Sequence, residues 1–149
     1  MSDGAGLADP LTFDAGRCWA GLCDISPAQP VPLAGYAGKE RLRQADAGGL
    51  EANWLAFPAD QVAIALILAV DALFSSDAFE AAVTEALGRG GVRVSALWVI
   101  ASHTHFAPQL DPTKPRLGRC VPGHLQDVAD IVEHGNQGAF RGDQNRALL

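Results

Sequence analysis

An α/β fold, a mixed β-sheet with flanking helices, is predicted by three features of this sequence. Two apolar runs, residues 51–57 (EANWLAF) and 61–70 (QVAIALILAV), flank Pro58, Ala59 and Asp60 as two strands joined by a short turn would. Residues 75–87 then change period, placing Phe79, Ala82, Val83, Ala86 and Leu87 on one helical stripe with Asp77, Glu80 and Glu85 outside it. Residues 92–101 return to strand character, and strand, helix, strand predicts a parallel crossover, right-handed by the general rule.

A chain of 149 residues is one domain's worth, able to bury a core but well short of the length an eight-fold barrel needs. With 48% hydrophobic and 19% charged residues it should fold rather than stay disordered. The net charge of −6, with Lys and Arg scattered singly, offers no basic stripe, so nucleic acid is not an expected partner. Three cysteines, Cys18, Cys23 and Cys120, form no C-x-x-C pair and no even set, which fits reduced thiols and a cytoplasmic location. The amino terminus has acidic and glycine residues where a secretory signal carries a basic and then a long apolar segment. The most apolar run, residues 62–70, is about half of what a bilayer crossing takes, so no transmembrane segment is expected.

Taken in order, residues 1–16 are rich in Gly, Ala and Asp without a period and read as a disordered leader to a domain spanning 17–134. Residues 18–25 (CWAGLCDI) predict a short strand, ended by Pro27, Pro30 and Pro32. The glycines of residues 32–38 (PLAGYAG) suit a tight loop, and residues 39–49 read as a solvent loop. The run 61–70 is apolar on both faces, so it belongs at the centre of the sheet; a buried helix is the alternative, disfavoured by its shortness and its Val and Ile content. Asp71 closes it, either as a ligand or base or as a turn cap. Asp77 and Glu80 have capping-box spacing, and Gly88, Gly90 and Gly91 end the helix. After a loop holding Pro112, Pro115 and Pro122, residues 123–134 predict a second helix with Leu125, Val128, Ala129 and Val132 inward. His124 and His134 near its ends read as capping or solvent residues before they read as ligands. Residues 135–149 lack periodicity and read as an irregular tail.

The best claim to chemistry is in residues 94–108, VSALWVIASHTHFAP, where an apolar run stops at two histidines separated by one residue. In an extended chain His103 and His105 share a face, roughly 6–7 Å apart along the strand. Neutral imidazole is the commonest metal ligand and also a general acid or base near neutral pH. The plain alternative is that His-Thr-His merely ends a strand in a polar loop. A catalytic zinc takes three protein ligands and an open position, so the pair alone does not complete a site. A metallo-β-lactamase-like motif would continue into Asp-His, and an amidohydrolase barrel would have most of its strands still to come; neither pattern is present.

Three motifs in order do resemble a known family. Residues 20–27 (AGLCDISP) are similar to the opening A-G-x-x-D-I-T-P of the neutral/alkaline, non-lysosomal ceramidases. Residues 32–36 (PLAGY) resemble that family's P-x-x-G-Y loop, and residues 102–108 (SHTHFAP) its T-H-T-H-S-G/A-P. The resemblance covers residues 18–108 and extends more weakly through 123–134. It implies a partial version of a larger ceramidase-like catalytic domain, a zinc-dependent hydrolase that cuts the amide bond of an N-acyl lipid or related substrate. By analogy His103 is a zinc ligand, His105 a second metal contact or catalytic group beside it, and Gly35 and Tyr36 part of a substrate-binding loop. Gly142, Asp143, Gln144 and Asn145 resemble the family's later G-D-x-S-P-N, which carries Asp143 over as a catalytic candidate although the family's serine is missing. The family's remaining zinc ligands lie far beyond its T-H-T-H motif and have no recognisable counterpart here, so the resemblance implies an incomplete site, open to completion by another chain. The alternative is a non-catalytic α/β fragment or interaction module without tight metal binding.

Overall fold

The structure, a computed structural model, describes residues 11–36, 39–44 and 47–141. Strand β1 (Trp19–Asp24) is followed by two short strands, β2 (Val31–Pro32) and β3 (Leu42–Arg43), then by β4 (Glu51–Pro58) and β5 (Ala63–Val70). Helix α1 (Asp77–Arg89), strand β6 (Arg93–Ala101) and helix α2 (His124–Phe140) complete the order. The main sheet runs β1-β4-β5-β6, with β1/β4 and β4/β5 antiparallel and β5/β6 parallel, while β2 and β3 form a separate antiparallel pair. The fold is therefore the mixed α/β sheet with flanking helices that the sequence predicts, and no helix among the described residues is long and apolar enough to cross a membrane.

Alternation decides which side of the sheet is covered. Ala52, Trp54 and Ala56 of β4 are buried together with Ile64, Leu66, Leu68 and Val70 of β5. Against them pack Phe79, Val83 and Leu87 of α1 and Val128, Ala129 and Val132 of α2, in one continuous core. The two helices lie side by side on this face, α1 against β6 and α2 against β1. Deleting a side chain such as Phe79 from such a core costs about 3–5 kcal/mol. The parallel β5–β6 pair follows from α1 returning the chain along the sheet, since parallel neighbours need a crossover.

Four boundaries differ from the sequence reading. The N-cap of α1 is Ser76, whose hydroxyl accepts the Phe79 amide at 3.1 Å, so the cap lies one residue before Asp77. Gly88 lies inside α1 rather than ending it. Within the stretch read as a disordered leader, Phe13 is buried, donates its amide to the Gln61 carbonyl at 2.9 Å and stacks edge-on against Trp19 and Phe140. The stretch read as an irregular tail is helical as far as Phe140, because Ala139 and Phe140 pack against the core and buried Asn136 continues the inward face of α2 at helical spacing. Both misreadings have one cause, a contact between residues distant in sequence: Phe13 and Phe140 order each other through Trp19.

Candidate functional site

The histidine pair sits just past the carboxyl ends of the parallel strands β5 and β6, where open α/β sheets place their ligands. It is not carried on the strand. β6 ends at Ala101, the Ser102 amide donates to the Val70 carbonyl at 3.0 Å, and His103 then adopts a left-handed backbone at φ 60°. The expectation that pleat alternation presents both rings is therefore corrected: the turn presents them. A left-handed non-glycine residue is uncommon and costs roughly 1–2 kcal/mol, so surrounding contacts must hold it.

Those contacts come from the loop after β5. His103 Nδ1 lies 3.0 Å from the Leu73 carbonyl oxygen, and its ring packs edge-on against Phe74 at 5.1 Å. A carbonyl can only accept, so Nδ1 donates, and in the neutral imidazole Nε2 is the nitrogen that carries the lone pair. The His105 ring stands 5.5 Å from the His103 ring, nearly perpendicular to it, and 5.7 Å from the Tyr36 ring. Gly35 makes room for this: with φ at 87°, it lies so close to His105 that an added Cβ would overlap Nδ1 and Cε1. The Gly35 amide donates to the Leu117 carbonyl and the Ala34 amide to the Ala107 carbonyl, which ties the glycine-tyrosine loop to the segment following the histidines. The structure thus brings Gly35, Tyr36, His103 and His105 together, and both imidazoles are exposed.

The segment after His105 is braced by Asp111. Its buried carboxylate accepts from the Thr113 amide at 3.0 Å, the Thr113 hydroxyl at 2.6 Å and the Lys114 ammonium. Burial pushes this carboxyl up, but the bonds from Lys114 and Thr113 outweigh it and hold Asp111 below the usual carboxylate range.

Other sequence candidates lie elsewhere or do other work. Asp71 accepts the Glu51 amide at 3.0 Å and donates its own amide to the Glu51 carbonyl at 2.9 Å, so it ties the β4 and β5 ends together as a cap. His124 is buried at the start of α2, and exposed His134 contacts the Asp130 carbonyl and Glu133 of its own helix. Asp143 lies outside the described residues. Among the described residues no group of three or more His, Cys, Asp or Glu side chains gathers as a metal ion requires. As a test of fit for zinc, the His103 Nε2 lone pair and the adjacent imidazole suit two positions, and the described residues supply no third.

One feature of the site was not read from the sequence. Lys39, Arg116 and Arg119 line a small cleft beside Tyr36, with Glu40 among them. Its basic residues fall in two short runs, 39–43 (KERLR) and 116–119 (RLGR), that look scattered until the Gly35–Leu117 bond brings the two loops together. No family model, curated protein or solved structure matches this chain.

Proposed function

We propose that this chain carries the histidine half of a ceramidase-like, zinc-dependent hydrolase site whose remaining ligands lie outside the described residues. The reading rests on the motif resemblance and on one observation above all, the Leu73 carbonyl that fixes the His103 tautomer and leaves Nε2 free. A backbone acceptor behind a ligating histidine is the usual outer partner of a metal-bound imidazole. His103 would hold the zinc with His105 beside it, and Gly35 and Tyr36 form the wall that a substrate passes. When bound, zinc would supply Lewis acidity to polarise an amide carbonyl and to activate water at neutral pH. Water adds across the amide, giving a carboxylic acid and an amine. His105, packed against Gly35 and Tyr36, is placed to move the proton that the amine takes up.

A second reading, a non-catalytic interaction module, is favoured by the large apolar side chains Leu22, Trp98 and Ile100, each more than half exposed. Zinc titration of chelator-stripped protein separates the two. The hydrolase reading expects one zinc per chain, with affinity lowered about tenfold or more by His103→Ala and by His105→Ala. Sub-stoichiometric zinc, indifferent to both changes, leaves the interaction module.

A further inference from the structure

The cleft beside Tyr36 holds about 180 Å3, and its lining includes Tyr36, Lys39, Glu40, Arg116, Gly118 and Arg119. Two backbone ties build it: the Leu33 amide donates to the Arg41 carbonyl at 2.7 Å, and the Gly35 amide reaches the Leu117 carbonyl. Gly118 turns between the two arginines at φ 142°, so close to Ala34 that an added Cβ would stand 3.2 Å from its Cα. Arg41 adds a further cation nearby, its guanidinium 4.5 Å from the centre of the Tyr36 ring. In a chain of net charge −6, this grouping of Lys39, Arg41, Arg116 and Arg119 reverses the sign of the whole molecule at one place. Among the lining residues Glu40 opposes it, 3.4 Å from Arg119 in a solvent-exposed pair that contributes little and is easily displaced.

We propose that this cleft binds a phosphate group, and that the substrate handled by the histidine pair is a phosphate-bearing molecule rather than a neutral one. A carboxylate needs one arginine; three cations lining one cleft match the higher charge and the several acceptor oxygens of a phosphate. Tyr36 lines the cleft and its ring centre stands 5.7 Å from that of His105, so a ligand anchored here extends past Tyr36 to the imidazoles. That second step rests on the hydrolase reading. Phosphate binding itself does not, and it is measured without zinc.

The test is calorimetric titration of inorganic phosphate into chelator-stripped full-length chain at low salt, repeated with Arg116→Gln and Glu40→Gln. Both positions are exposed, and circular dichroism confirms that the variants fold. One saturable site is expected, weakened about tenfold by Arg116→Gln and tightened several-fold by Glu40→Gln, since the latter removes the competing carboxylate. A soluble phosphate monoester and vesicles containing phosphatidic acid are titrated alongside. Monoester binding that fails in Arg116→Gln assigns a soluble ligand, and vesicle binding alone with the same loss assigns a lipid headgroup. No saturable binding of any of the three, or binding that neither substitution alters, overturns the proposal whatever the zinc titration gives.

Discussion

His103 and His124 show how the same side chain takes opposite roles from its surroundings. His103 is exposed, its Nδ1 occupied by the Leu73 carbonyl and its Nε2 open. His124 is buried in the first turn of α2, where burial lowers its pKa and nearby Asp127 only partly opposes that. The positive end of the helix dipole disfavours the imidazolium in the same direction. Because the folded form holds its proton less tightly than the unfolded chain, the unfolded state binds more protons below the ordinary histidine pKa of about 6.5. Stability is therefore present above that pH and is lost as pH falls through the window down to the lowered folded pKa. Thermal midpoints measured from pH 7.5 downward should show this fall in the native chain, and His124→Gln should flatten it; equal slopes for the two proteins would assign the effect elsewhere.

Helix α2 carries the clearest statement at the level of one element, because two of its glycines face different surroundings. An added Cβ at Gly135 would overlap the Cys23 sulfur of β1, whereas at Gly138 it meets nothing within 4 Å. Gly135→Ala should therefore destabilise by about 1–3 kcal/mol through overpacking. Gly138→Ala should stabilise by about 0.5–1 kcal/mol, since alanine loses less conformational freedom in a helix. Urea unfolding of the two variants checks both signs, and a stabilising Gly135→Ala would mean that α2 does not sit against β1 as described. These glycines also dilute the apolar period at the end of α2, which is why its last turns lacked periodicity in the sequence, and only the Cys23 contact explains the first of them. Strands β4, β5 and β6 and helix α1 were legible, because their apolar periods are set by local alternation against one core. At the site the His-x-His pair and the Gly-Tyr loop were legible as residue types, but not their geometry. The left-handed turn at His103 and the two-loop basic cleft depend on contacts with Leu73 and Leu117, distant in sequence.

For the molecule as a whole, the decisive asymmetry is that both helices cover one face of the sheet. On the other face Leu55 pairs with Ile67 and Ile67 with Trp98, while Ala69 pairs with Ile100, a contiguous apolar row across three strands. Leu22 on β1 is 58% exposed, Trp98 52% and Ile100 56%. Isolated exposed apolar residues are ordinary, but a continuous patch rimmed by polar groups marks a surface that water covers at a cost. Edge strand β6 belongs to the same patch, and it carries none of the lysines or prolines that usually guard such an edge. The chain should accordingly bind the apolar dye ANS while retaining native circular dichroism, which a fully covered core does not do. Trp98→Lys should reduce that binding several-fold with little loss of stability, because the side chain it replaces is already half in water. Phe79→Ala should do the reverse, lowering stability by about 3–5 kcal/mol by opening the covered face. If the two substitutions had the same effect, the sheet would have no uncovered side, and its two faces would have to be packed alike.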